Sequence, residues 1–176
     1  MDASDLLFRM LGYQAWANEE MLRAMKGLDA EHHAEERHLA LCLMNHCLVV
    51  NKIFVAHLGG EKHFFTSANT SDTPALDDLY AETVKVDCWY LRYGEAATSA
   101  MLNESIPFEF TDGDKGYMTR EEMLTHVVTH GGYHRGEVGR LMMQASARSG
   151  REAGLPWDTY AVYLHRSDPG RRLQGR

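Results

Sequence analysis

Three histidines, His126, His130 and His134, recur at intervals of four within the stretch Leu124 to Glu137. If that stretch is helical, all three project from one side, because residues four apart are neighbours on a helix. Two imidazoles one turn apart can reach a single divalent cation, which takes nitrogen ligands at ~2.0–2.1 Å. Such a pair needs a further protein ligand. The other histidine set squarely in an apolar run is His46, within Leu43 to Val50. Alone, a histidine on an apolar face is more often a hydrogen-bonded core residue. Several imidazoles on facing helices are another matter, since each buried lone pair wants a proton or a cation. We therefore read the chain as folded to bring His46 opposite His130 and His134, with those three as the metal ligands.

Nothing in the helix supplies a general base beside the ligands, because no glutamate follows a histidine in the HExxH manner. Glu137, one turn past His134, either orients a histidine or pairs with Arg140 at the surface. His126 reads as a supporting residue, since a site closed by four histidines would leave no room for substrate. His57 reads as rim or surface. Gly131, Gly132, Gly136 and Gly139 each cost roughly 1 kcal/mol against alanine in a helix interior. Either they break the helix at Gly131-Gly132, or side chains are missing where another helix or a ligand comes close.

The elements that must carry these residues are long helices. The first is expected from about Ser4 to Lys26, capped by Ser4 or Asp2 and stopped by Gly27, with Leu7, Met10, Leu11, Ala15, Asn18 and Leu22 as its inward stripe. After a polar connection holding His32 and His33, both read as solvent-facing along with His38, the second is expected from about His38 to Leu58. Its stripe is Leu39, Leu43, His46, Val50 and Ile53 or Phe54. A loop from His63 to Asp72 leads to a third, with Pro74 in its first turn and Leu76, Leu79, Val84, Val86 and Leu91 inward, to about Asn103. Between Ser105 and Thr119 the alternation of Ile106, Phe108 and Phe110 around Asp112-Gly113 predicts a short hairpin. Thr119 and Glu122 then form a capping box for a fourth long helix that bears the histidines to about Ala147. A segment from Trp157 to His165 packs across the whole. The fold class is all-α: a four-helix bundle with a β-hairpin before the last long helix.

At 176 residues, with 44% hydrophobic and 24% charged, residues 1–165 are expected as a single domain with a real core, followed by a basic tail over 166–176. A net charge of −7 argues against a nucleic-acid partner, which needs a basic face. No run is read as a membrane span. Cys42, Cys47 and Cys88 lie within helices, at no disulfide or zinc-knuckle spacing, and read as buried thiols. With no signal peptide evident, a cytoplasmic location is expected.

Two passages resemble the DinB/YfiT-like family of small helical-bundle metalloproteins: His126-Val-Val-Thr-His130-Gly-Gly-Tyr-His134-Arg-Gly-Glu137, and Asn45-His46 with Val50 and Phe54 beyond it. The opening Tyr13-Gln-Ala-Trp16-Ala-Asn18 and the closing Trp157-Asp-Thr-Tyr-Ala-Val-Tyr-Leu-His165-Arg are similar to that family as well. The resemblance implies a four-helix bundle holding nickel or zinc on His46, His130 and His134, and a homodimer. Where such relatives usually show glutamine after His-Arg-Gly, this chain has Glu137. Characterised relatives include thiol-cofactor-dependent transferases, isomerases and metal-dependent hydrolases.

Three histidines leave a coordination position open, where a metal acidifies a water or ionises a thiol. The expected function is metal-dependent hydrolysis of a small-molecule substrate or transfer to a low-molecular-weight thiol. The rival is a non-catalytic bundle in which the metal is structural. In both, the ligand imidazoles must be neutral, so metal affinity is expected to fall as pH drops through the ordinary imidazole range near ~6.5. Metal occupancy followed by dialysis across that range checks this, and unchanged occupancy would mean that other groups hold the ion.

Overall fold

The computed structural model describes residues 3–150, 152 and 154–171. Its helices are α1 (Ala3–Ala24), α2 (Ala34–Gly59), α3 (Leu76–Ala96), the short α4 (Ser99–Leu102), α5 (Arg120–Ser149) and α6 (Tyr160–Ser167), with a hairpin of β1 (Ser105–Glu109) and β2 (Lys115–Thr119) ahead of α5. The four long helices close a ring in the order α1, α3, α2, α5. Consecutive helices α1 and α2 thus stand across the bundle from one another. The most extensive interface is α2 on α5, the pair that carries the histidines.

Local chemistry sets the ends. Gly60 terminates α2 in the left-handed region (φ 75°), where a side chain would be strained. The Thr119 hydroxyl accepts from the Glu122 amide at 3.1 Å while the Glu122 carboxylate accepts from the Thr119 amide at 2.7 Å, completing the expected capping box. In the hairpin Ile106 pairs with Met118 and Phe108 with Gly116, which turns Ile106 and Phe108 inward.

Several expectations need correction. Ser4 lies inside α1 rather than capping it, and Asp2 is outside the described residues. The buried face of α1 includes Gln14, Ala17 and Met21, whereas Met10 and Ala15 are only half-buried. Leu39 and Val84, expected inward, are exposed. The real inner face of α2 runs through Ala40, Met44, Cys47, Leu48 and Phe54, and His46 sits at its margin. α3 begins after Pro74 and stops at Ala96. The chain goes extended at Ala97, and the Thr98 hydroxyl caps α4 afresh. Cys47 is buried, Cys42 half-buried and Cys88 exposed. The first turn past the expected tail boundary is ordered: Arg166 pairs with Glu20 at 2.9 Å and lies over the Trp16 ring. Residues 172–176 are outside the described set. α2 is long and apolar enough to cross a membrane by length and composition, contrary to the reading of the sequence; half of that apolar window is buried inside the bundle.

One polar layer interrupts the core. Arg135 of α5 is wholly buried. Its Nε donates to Asp158 at 2.7 Å, and its Nη1 donates to Gln14 at 2.7 Å and Asn18 at 2.9 Å. Asn18 in turn donates to both carboxylate oxygens of Asp87, at 3.0 and 3.2 Å. The Tyr13 hydroxyl closes the layer on Asp158 at 2.5 Å. Gln14 passes so close to α5 that a Cβ at Gly131 would overlap its amide, which explains a glycine in mid-helix there. The space around Gly136 is open, so the close-approach account does not extend to it.

Burial pushes the Asp87 carboxyl up to about 7, against the pull of the Asn18 amide and the Arg135 charge. Its value unfolded is ~3.9, so folding favours the protonated acid. That contribution is complete below pH ~4 and is lost as pH rises through about 7. In urea titrations of chelator-treated protein, wild type is expected to lose stability relative to Asp87→Asn between those limits. Parallel curves for the two proteins would refute the assignment.

Candidate metal centre

Burial on α2 and α5 fixes where the ligand candidates meet. Val127, Val128, Gly131 and Val138 face the core, which leaves His130 and His134 on the shoulder of α5 that looks across to α2. On α2 the neighbours of His46, Asn45 and Cys47, are both buried. The three imidazoles converge. His130 Nε2 lies 3.0 Å from His46 Nε2 and 3.1 Å from His134 Nε2. The ligand atoms of all three fall within 4.8 Å of one another, and each residue is half-buried, so solvent reaches the cluster.

The outer nitrogens decide what the inner ones are. His46 Nδ1–H donates to the Ala68 carbonyl at 2.8 Å, and His134 Nδ1–H donates to Glu137 Oε2 at 2.6 Å. In the neutral ring each Nε2 is therefore a bare lone pair. His130 lies between them with one proton to give. On Nε2 that proton satisfies one contact and leaves the other as lone pair against lone pair. Nδ1 of His130 is buried and has no partner among the described residues. Burial first, then the neighbouring His134, His46 and His126, push the His130 pKa down to about 3, so it stays neutral. A divalent cation satisfies all three lone pairs at once. Nitrogens ~2.0–2.1 Å from one ion stand ~2.9–3.4 Å apart for angles near square or tetrahedral; the two separations from His130, 3.0 and 3.1 Å, fall in that range, and the His46 and His134 ligand atoms lie within 4.8 Å of each other. This is a three-histidine group able to hold a metal.

A sequence model of the DinB family matches residues 1–155. The chain belongs to the DinB family. It is also 28% identical over 174 residues to Protein DinB of Bacillus subtilis (strain 168), covering 92% of this chain and 95% of that one. Glu137 takes the orienting role left open by the sequence: it holds His134, and no pair with Arg140 forms among the described residues.

His126 stands outside the converging trio. Its ring stacks on His130 at 5.1 Å between centroids, and the Phe54 ring lies tilted against it at 4.9 Å. It walls the centre. His57 is further away still, on the rim of a cleft at the end of α2.

The loop expected from His63 to Asp72 supports the centre, a role the sequence reading did not assign to it. The Asn45 amide donates to Asn69 Oδ1 and, at 2.7 Å, to the Thr70 hydroxyl, while the Asn69 amide donates to the Cys42 carbonyl at 3.1 Å. These bonds clamp residues 68–70 onto α2 and so aim the Ala68 carbonyl at His46. Backbone acceptors carry no side-chain identity, and only the buried Asn45 beside His46 hinted at them.

Partners that orient metal-binding histidines typically contribute 10–100-fold in affinity. Asn45→Ala and Glu137→Ala are each expected to weaken metal binding by that order, measured by chelator competition, with stoichiometry unchanged. His126→Ala is expected to keep both affinity and stoichiometry within a few-fold. Loss of the ion in His126→Ala would make that residue a ligand.

Proposed function

We propose that this DinB-family protein is a metal-dependent enzyme, with His46, His130 and His134 holding zinc or nickel, that hydrolyses a small molecule or transfers a group to a low-molecular-weight thiol. The observation that carries the reading is the convergence of three Nε2 lone pairs with two of the three Nδ1 atoms already committed. Imidazole suits either metal. When bound, such an ion supplies Lewis acidity to a water or thiol in the position that three protein ligands leave free.

The protein's own residues do the rest. Ala68 and Glu137 lock the tautomers of His46 and His134, so no reorganisation is needed to present their lone pairs. The Glu137 carboxylate also places a negative charge behind His134, which strengthens that ring as a donor. Phe54 and the His126 ring shield one flank from water. The buried thiol of Cys47, pushed up to about 12 chiefly by burial, is protonated and takes no part as a nucleophile. A homodimer accompanies the proposal through the family resemblance, and a cytoplasmic location through the cysteine pattern.

Elemental analysis of protein purified without an affinity tag is expected to give about one divalent ion per chain, and almost none in His130→Ala. Cobalt-substituted protein is then expected to change its visible spectrum on addition of cysteine or azide. Retained metal with a spectrum indifferent to both would sink the enzyme and leave a structural ion.

A further inference from the structure

Two glycines of α5 are not explained by packing within the chain. Around Gly136 nothing beyond the helix's own backbone comes within 4 Å of where a Cβ would stand, and at Gly132 the one neighbour is the Nη2 of Arg135 at 3.8 Å. Each glycine weakens the helix relative to alanine. They lie one turn apart, and with Thr129, Tyr133, Arg140 and Met143 they make up the outward face of α5. The hollow at Gly132 is chemically unfinished too. The Nη2 beneath it belongs to a wholly buried side chain and has no partner among the described residues, so this N–H still wants an acceptor.

Large side chains surround the glycines and stand in solvent. Tyr133 is 67% exposed, Met143 60% and Trp157 71%. Trp157 is held beside this face by its neighbours in sequence: Leu155 comes 4.0 Å from where a Cβ at Gly139 would stand, and Asp158 pairs with Arg135. Exposed apolar patches of this kind mark interaction sites. The outward face of α5 carries no lysine, aspartate or glutamate, although the chain has 25 acidic residues. Its one charge, Arg140, makes no ion pair among the described residues. Tyrosine, tryptophan, methionine and arginine are the residues that protein interfaces favour, and lysine and the acids those they avoid.

We propose that two copies of the chain dock through this face, each α5 crossing the other at Gly136. The order of residues is self-complementary. In an antiparallel two-fold crossing centred there, Tyr133, three residues before the glycine, meets Arg140 of the other copy, four after it. Thr129 and Met143, each seven residues from the centre, correspond in the same way. A guanidinium over a phenol ring is a favourable contact, and the two-fold makes it twice. The missing side chains let the backbones approach. A net charge of −7 opposes self-association, and this face is free of the acids that create it. Docking also touches the metal centre. Tyr133 stands edge-on to His134, with centroids 5.0 Å apart and planes at 82°, so clasping Tyr133 between copies steadies that ligand ring. The inference rests on the homodimer of the proposed function and assigns its surface.

Sedimentation of the full-length protein over a range of concentrations tests this, with wild type expected as a dimer. Gly136→Leu, whose side chain suits a helix but fills the crossing, and Arg140→Glu are each expected to raise the dimer dissociation constant by about tenfold or more, with unchanged circular dichroism. Adding Tyr133→Lys to Arg140→Glu is expected to restore the dimer through opposite charges. With the exposed Cys88 changed to serine, Gly136→Cys is expected to form a disulfide between copies, mapped by mass spectrometry. A dimer indifferent to Gly136→Leu and Arg140→Glu, a defect that Tyr133→Lys does not repair, or a Gly136→Cys protein without that disulfide would each overturn this surface and spare the homodimer. A monomer at every concentration would overturn both.

Discussion

A guanidinium with no exposed surface is the constraint to which much of this bundle answers. Arg135 is followed outward through Asp158, Gln14 and Asn18 to Asp87, so that α1, α3, α5 and the segment before α6 are tied to one charge. Breaking such a buried pair by removing one partner typically costs 3–5 kcal/mol, because the charge left behind has nothing to face. The layer therefore specifies register more than it adds stability. It fixes how far α5 is rotated and slid against α1, and the adjacent residue on α5 is His134.

That adjacency separates two jobs along one turn of helix. Arg135 points into the core and sets the rotation of α5; His134 and His130 ride on the neighbouring shoulder and meet α2. Fine orientation then comes from outside the helices, through the Ala68 carbonyl on one side and the Glu137 carboxylate on the other. The ligand rings are thus positioned in two stages, coarse by the buried charge and fine by hydrogen bonds to the nitrogen that faces away.

What the chain reveals unaided follows the same division. The four-residue spacing of His130 and His134, and a histidine where α2 asks for an aliphatic residue, are covalent facts that helical geometry converts directly into proximity. The capping box at Thr119 and the alternation at Ile106 and Phe108 are equally local. Leu39 misled because α2 carries apolar residues around much of its circumference, so periodicity alone does not choose a face; Val84 misled because the buried stripe of α3 runs through the polar Thr83 and Asp87 instead. The end of α3 was hidden because Thr98 stops one helix by capping the next, with neither proline nor glycine at the break. Arg135 was in plain view in the histidine stretch, yet its burial depends on Gln14 and Asn18, more than a hundred residues earlier. Their placement four apart on an otherwise apolar stripe was the available clue.

The ring order of the bundle has a consequence for how the centre comes into being. With α1 and α2 across from one another, α2 finds its main partner only when α5 exists, and His46 is 84 residues upstream of His130. Bringing such distant segments together spends loop-closure entropy before any contact repays it. During synthesis the first ligand waits through the whole of α3 and the hairpin, whereas the last two arrive together on one nascent helix. The three-imidazole group is therefore completed late, a signature of finished assembly rather than a seed for it.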